Sequence, residues 1–217
     1  DAVNAARRAF PGWSTRPFSE RKAILSKAFR TIDKHAEELS VILTAEQGRP
    51  LAQSRREIDL LTKAFWAAYM HMELPYKETD ISNIGHVTKR YAPVGVVGAI
   101  SPWNLPVLLS FTKAFPALLA GNTVVLKPSP FTPLTVLRIS DYIRELFPPG
   151  VLNVVTGGDS LGPWMTSHSG IDLITFTGST ETGKKVVNSS APTLKHVSLE
   201  LGGNDPGIVL PDAHPQH

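Results

Sequence analysis

Residues 95–127 read GVVGAISPWNLPVLLSFTKAFPALLAGNTVVLK. The apolar run at 95–100 is short, rich in Val and Ile and closed by Pro102, which predicts a strand buried on both faces. A helical stretch follows around 108–119, and a second buried strand at 123–126. Two strands joined by a helix form a parallel pair with a crossover. The alternation continues: helix around 133–147, strand 152–155, helix around 161–167, strand 173–176, helix near 181–189, and closing strands at 197–200 and 208–210. The expected fold is α/β, a parallel sheet with crossover helices. Ligands of such sheets bind at the carboxyl ends of the strands, so the residues just beyond those ends are the candidates for function.

Upstream the period changes. From 19 to about 46, Ile24, Leu25, Phe29, Ile32, Leu39, Ile42 and Leu43 recur near helical spacing, with Ser19 as N-cap and Gly48 and Pro50 as stops. A second helical stretch from 53 to about 72 carries Ile58, Leu61, Phe65 and Tyr69 and ends before Pro75. Its aromatic residues Phe65, Trp66 and Tyr69 are read as core packing. Residues 86–91 alternate like a half-exposed strand after a turn at 83–85, so the region 80–94 reads as a hairpin arm.

The chain has 217 residues, 42% hydrophobic and 19% charged, ordinary values for a soluble domain. Its formal charge of +3 comes from 22 basic residues scattered among 19 acidic ones, so nucleic acid is not an expected partner. Neither a transmembrane run nor a signal peptide is seen, which makes a cytoplasmic protein with no membrane partner the default. There is no cysteine, so disulfides, cysteine-bearing zinc sites and cysteine catalysis cannot reside in this stretch. The histidines, His35, His71, His86, His168, His196, His214 and His217, lack metal-ligand spacing and are read as surface residues.

Three motifs could carry chemistry. Residues 178–185, GSTETGKK, fall one residue short of a phosphate-cradling P-loop, because Lys185 stands where Ser or Thr would ligate magnesium. What survives is a Gly178-Ser179 turn opening a helix, whose free amides favour a phosphate; glycines kept for close helix–sheet packing are the alternative. Residues 158–162, GDSLG, match a serine nucleophile elbow, with Asp172 and His196 available as later triad partners. Ser160 follows its strand too late for that motif, and a tight glycine loop near a cofactor fits better. The third constellation is Pro102-Trp103-Asn104-Leu105-Pro106, Lys127-Pro128-Ser129-Pro130 and Glu200-Leu201-Gly202-Gly203, each after a strand.

On these last motifs, together with Phe10-Pro11-Gly12-Trp13 and Glu46-Gln47-Gly48-Arg49-Pro50, the sequence resembles the aldehyde dehydrogenase superfamily along nearly its whole length. The resemblance implies a Rossmann-like sheet preceded by N-terminal helices and a hairpin arm, and a small-molecule aldehyde as substrate. It implies NAD as cofactor, with NADP the alternative. In that family a cysteine thiolate attacks the aldehyde, a hydride passes to the nicotinamide, and water releases the acid. Asn104 would donate to the oxyanion and Glu200 would activate the water. Lys127, with Ser129 and Pro130 beside it, would hold the adenosine ribose. Ile100, Ser101, Pro102 and Trp103 would border the nicotinamide, Gly158 and Gly162 the adenine loop. Phe176, Thr177, Gly178 and Ser179 would form the pyrophosphate turn, and Leu201 and Gly202 would follow the base.

Two departures stand out. Pro130 holds a position where the family often has a glutamate that accepts from the ribose, and no nucleophilic cysteine is present. The resemblance therefore implies that residues 1–217 are the cofactor-binding domain of a longer enzyme whose catalytic domain is absent from them. It also implies a homodimer or homotetramer at full length. A free-standing nucleotide-binding module and a serine hydrolase using Ser160 are the competing readings.

Overall fold

The structure, a computed structural model, describes residues 1–73, 76–81 and 85–213, with the backbone alone at 76–81. Pro75, positions 83 and 84 of the expected turn, His214 and His217 lie outside the described residues. The chain opens on α1 (Ala2–Ser14), α2 (Phe18–Lys34), α3 (Ala36–Gln47) and α4 (Leu51–Asp59), which runs through a π-helical turn at Leu60–Phe65 into α5 (Trp66–His71). Strands β1 (Tyr76–Ile81) and β2 (Gly85–Arg90) pair antiparallel as the expected hairpin. Then come β3 (Val96–Ile100), α6 (Pro106–Leu119), β4 (Thr123–Lys127), α7 (Leu134–Ile143), β5 (Leu152–Val154), α8 (Leu161–Ser167), β6 (Leu173–Gly178), α9 (Thr180–Ser190) and β7 (His196–Leu201).

The last five strands make one parallel sheet in the order β5-β4-β3-β6-β7. The chain builds outward from β3 on one side and then restarts at β6 on the other, so the order reverses between β3 and β6. A crevice opens at such a switch point. Neighbouring residues of one strand point to opposite faces. Val97 and Ala99 join the helical core with Phe29, Leu39, Phe111 and Phe115, while Val96 and Ile100 join a second core with Val125, Ile174 and Phe176. Both faces are covered, and the strands read as unbroken apolar runs for that reason.

Three expectations are corrected. The single helix over 19–46 is two, capped at Pro17 and broken at His35, which leaves the helical basin at φ −102, ψ 14. Leu25, Phe29 and Ile32 before the break and Leu39 and Leu43 after it face one core, so the periodicity runs through. At the break the His35 ring stacks on Tyr142 of α7 at 3.9 Å. The helix over 53–72 begins at Leu51 and contains the π turn. The strand at 208–210 does not form: Ile208 and Val209 are each 83% exposed, and no described strand lies beyond β7 to pair with them. Gly48 ends α3 as expected, at φ +81, where a side chain would be strained.

Tyr69 is buried, with Phe65 and Trp66 packed against the helical core, as expected of core aromatics. The described histidines are exposed or half-buried. Among the described residues no helix is long and apolar enough to cross a membrane, and no three His, Asp or Glu cluster to hold a metal.

Candidate active site

Register places the candidates side by side. Ile100 at the end of β3 pairs with Lys127 on one side and Phe176 on the other; Phe176 pairs with Leu199, and one step further Thr177 pairs with Glu200 and Gly178 with Leu201. Residues 100, 127, 176 and 200 are far apart in sequence. Parallel pairing alone brings them to one edge.

The loop leaving β3 is tied down at both ends. Ser101 donates its amide to the Lys127 carbonyl and shares a buried 2.6 Å hydrogen bond with the Ser110 hydroxyl. Pro106 opens α6, where its missing N–H costs nothing. The next two amides, of Val107 and Leu108, both donate to Glu57 Oε1 at 2.8 Å. Leu108 is core, and Leu105 packs against it. Between these anchors Trp103 and Asn104 are exposed, and among the described residues the Asn104 side-chain amide has no hydrogen-bond partner. Its donors are available.

Glu57 has a fully buried side chain and pairs with Arg49, which is 14% exposed. Glu57→Gln is expected to lower stability by about 2 kcal/mol, since the amide still accepts from the helix but leaves Arg49 without its counter-charge. Calorimetry should show a thermal midpoint lower by roughly 4–8 °C. An unchanged midpoint would mean the pair contributes nothing.

Sequence reasoning missed Lys113, though it is the only charged residue in the helix PVLLSFTKAFPALL. Its ammonium donates to Thr177 Oγ1 at 2.5 Å. Burial pushes its pKa below the usual lysine range, opposed by the negative charge of Glu200. Glu200 itself is exposed and makes no side-chain hydrogen bond among the described residues.

A cavity of about 600 Å³ lies between α8, α9 and the ends of β3, β4 and β6. Ile100, Phe176 and Val186 supply apolar wall, Gly162 opens the α8 side, and Lys127, Asp159 and Lys185 bring charge. Asp159 and Lys185 were not among the expected binding residues. Lys127 is only 5% exposed, and among the described residues its ammonium has one acceptor, the Pro128 carbonyl at 3.5 Å. Burial lowers its pKa, with Asp159 pulling the other way. Ser129 is buried beside it, its hydroxyl accepting from the Phe131 amide, while Pro130 is exposed; neither lines the cavity. Gly158, Leu201 and Gly202 are exposed and do not line the cavity.

Ser179 caps α9, its hydroxyl accepting from the Thr182 amide at 3.2 Å. A Cβ on Gly178 would collide with the Phe176 ring, and one on Gly183 would sit 2.7 Å from Leu201. Close packing explains both glycines. Lys185 pairs with Glu181 at 3.0 Å one turn along α9, an arrangement unlike a triphosphate cradle. The hydrolase reading fails on sheet polarity. Ser160 begins α8 beyond the carboxyl end of β5, whereas Asp172 precedes β6 and His196 starts β7, both at the amino ends. Strands of this length hold the two ends roughly 15–20 Å apart. Asp172 is also committed to Arg7 and the Val96 amide.

A profile described as the aldehyde dehydrogenase family matches residues 1–217. An aldehyde dehydrogenase of a Fusarium species is 42% identical over 214 residues, covering 98% of this chain and 44% of its own length. The human 2-aminomuconic semialdehyde dehydrogenase is 40% identical over 220 residues, covering 98% and 45%. Among solved structures, betaine aldehyde dehydrogenase from Staphylococcus aureus in complex with NAD+ superimposes with a TM-score of 0.85 at 34% identity, over 93% of this chain and 41% of that one. The chain thus spans a little under half the length of the relatives it matches. Because the profile takes in the helices and the sheet without interruption, the chain belongs to the aldehyde dehydrogenase family.

Proposed function

We propose that the whole protein oxidises an aldehyde to a carboxylic acid with a nicotinamide dinucleotide, and that these residues form its cofactor cradle and two of its reacting groups. The observation that carries this reading is Lys127: a nearly buried ammonium with unspent donors beside a cavity of about 600 Å³. An ammonium has three donors, and two ribose hydroxyls would satisfy what the protein leaves open. The volume and the apolar walls suit an adenosine. The dinucleotide, when bound, supplies the hydride acceptor. Asn104 donates to the aldehyde oxygen as negative charge develops there, and Glu200 takes the proton of the attacking water. Lys113 holds the Thr177 hydroxyl, on the residue that pairs with Glu200 across the sheet. With no cysteine among the 217 residues, the thiol nucleophile in this reading belongs to the remainder of the whole protein.

Calorimetric titration of NAD into the protein tests the cradle. Lys127→Met should weaken binding at least about tenfold, the loss of one or two charge-assisted hydrogen bonds. Equal dissociation constants for the two proteins would move the cofactor elsewhere.

NAD is the first choice of cofactor. Pro130 lies outside the cavity lining, but in this reading a side chain at its position reaches the ribose; proline puts no carboxylate there to repel a 2′-phosphate, while Lys127 remains to attract one, so discrimination against NADP should be weak. Pro130→Glu is expected to favour NAD over NADP by about 1 kcal/mol more than the parent, read from the ratio of dissociation constants. An unchanged ratio would show that the residue does not face the ribose.

The hairpin is the element we assign to assembly into a dimer or tetramer. Residues of β2 are exposed on both faces, and a two-stranded sheet with neither face covered is marginal alone. Light scattering of the whole protein should report a multimer; a monomer would remove that role.

A further inference from the structure

The stretch Glu46-Gln47-Gly48-Arg49-Pro50 lies at the end of α3, more than fifty residues before Asn104, and takes no part in the chemistry above. Its side chains nevertheless grip the loops at the carboxyl edge of the sheet. Glu46 accepts from the amides of Leu134 and Thr135 at 2.7 and 3.0 Å, capping α7. Arg49 pairs with Glu57, which caps α6. Gln47 sits between them, and its Nε2 donates to the Trp103 carbonyl at 2.9 Å and to the Asn104 carbonyl at 2.6 Å.

Those two carbonyls belong to the peptide planes on either side of the Asn104 Cα. Holding both planes fixes φ and ψ at Asn104, and with them the direction in which its Cβ leaves the backbone. The Thr132 hydroxyl also reaches the Trp103 carbonyl, at 3.4 Å, but among the described residues only the Gln47 side chain bonds both carbonyls. The Gln47 amide cannot turn over, since its oxygen would then face two carbonyl oxygens. In the arrangement seen, Oε1 is buried without a partner among the described residues, a cost accepted where Nε2 makes both bonds.

We propose that Gln47 is a positioning residue for the oxyanion donor, aiming the Asn104 amide by clamping the carbonyls of Trp103 and Asn104. This rests on the reading that Asn104 donates to the oxyanion. Gln47 is half-buried at a helix end, where substitution leaves the core untouched.

The test is a double-mutant cycle in the whole protein, measuring kcat with NAD on the fastest of propanal, benzaldehyde and succinic semialdehyde. Gln47→Met keeps the length and removes the donor; it should lower kcat by about ten- to a hundredfold, as small misplacements of catalytic groups do, with the NAD dissociation constant unchanged. In the Asn104→Ala background the same substitution should change kcat by less than about twofold, because no amide is left to aim. Gln47→Asn, too short to span both carbonyls, should fall between Gln47→Met and the parent, and it carries the cycle if Gln47→Met does not fold. A parent-like kcat in both Gln47 variants, or an equal loss with and without Asn104, would overturn the proposal. If Asn104→Ala itself leaves kcat unaltered, the oxyanion reading falls first and takes the positioning role with it.

Discussion

Removing the Asn104 amide, as in Asn104→Ala, is expected to lower kcat for aldehyde oxidation by the whole protein about a hundred- to a thousandfold. The amide is neutral at every working pH and already has its donors free. The loop that carries it is anchored by the buried Ser101–Ser110 pair and by Glu57 at the start of α6. Such a donor needs little reorganisation when charge appears on the substrate oxygen, which is where its advantage over water lies. The contact strengthens only as the oxyanion develops. The loss should therefore appear in kcat and kcat/KM together, with KM little changed. NAD binding should be retained, since the cavity beside Lys127 is not lined by Asn104. A variant with parent-like kcat would take Asn104 out of the reaction.

Glu200→Gln should abolish most steady-state turnover, with a loss of at least about a hundredfold, the scale of general-base catalysis. Glutamine matches the volume and keeps an acceptor oxygen, but it cannot carry a proton away from water. Because the water step follows hydride transfer, the variant should release a burst of NADH comparable to the enzyme concentration and then slow sharply. Rapid mixing distinguishes this from Asn104→Ala, which should show no burst. Lys113 offers a further contrast: with Glu200 neutralised, the charge that opposes its desolvation is gone, so its pKa should fall further. Undiminished steady turnover in Glu200→Gln would assign the base elsewhere.

Much of this edge could be read from residues alone, for a definite reason. Strands β3 and β4 are covered on both faces, so their apolar runs had no competing interpretation, and strand–helix alternation then fixed the direction of every strand. From residues alone the Ser160 triad stays open, weakened only by its spacing from the strand; it falls in the structure, where Asp172 and His196 lie at the amino ends of their strands. The break at His35 was hidden, since both helices bury the same stripe. The 208–210 run failed because strand formation depends on a neighbour, which local composition does not report. Lys113 was visible as a lone charge in an apolar helix, yet its target on β6 depends on how α6 crosses the sheet. Gln47 and Glu57 were the least accessible. The loop groups they hold lie 50 to 57 residues away and are backbone groups, which carry no residue-type signature.

The most direct test of the account is NADH formation by the whole protein, followed spectrophotometrically with propanal, benzaldehyde and succinic semialdehyde at saturating NAD. The account predicts sustained NADH formation with at least one of them, lowered at least about fivefold by Lys127→Met at NAD concentrations near the parent's dissociation constant and restored as NAD is raised. NAD binding without NADH from any aldehyde, or turnover indifferent to Lys127 at limiting NAD, would contradict it.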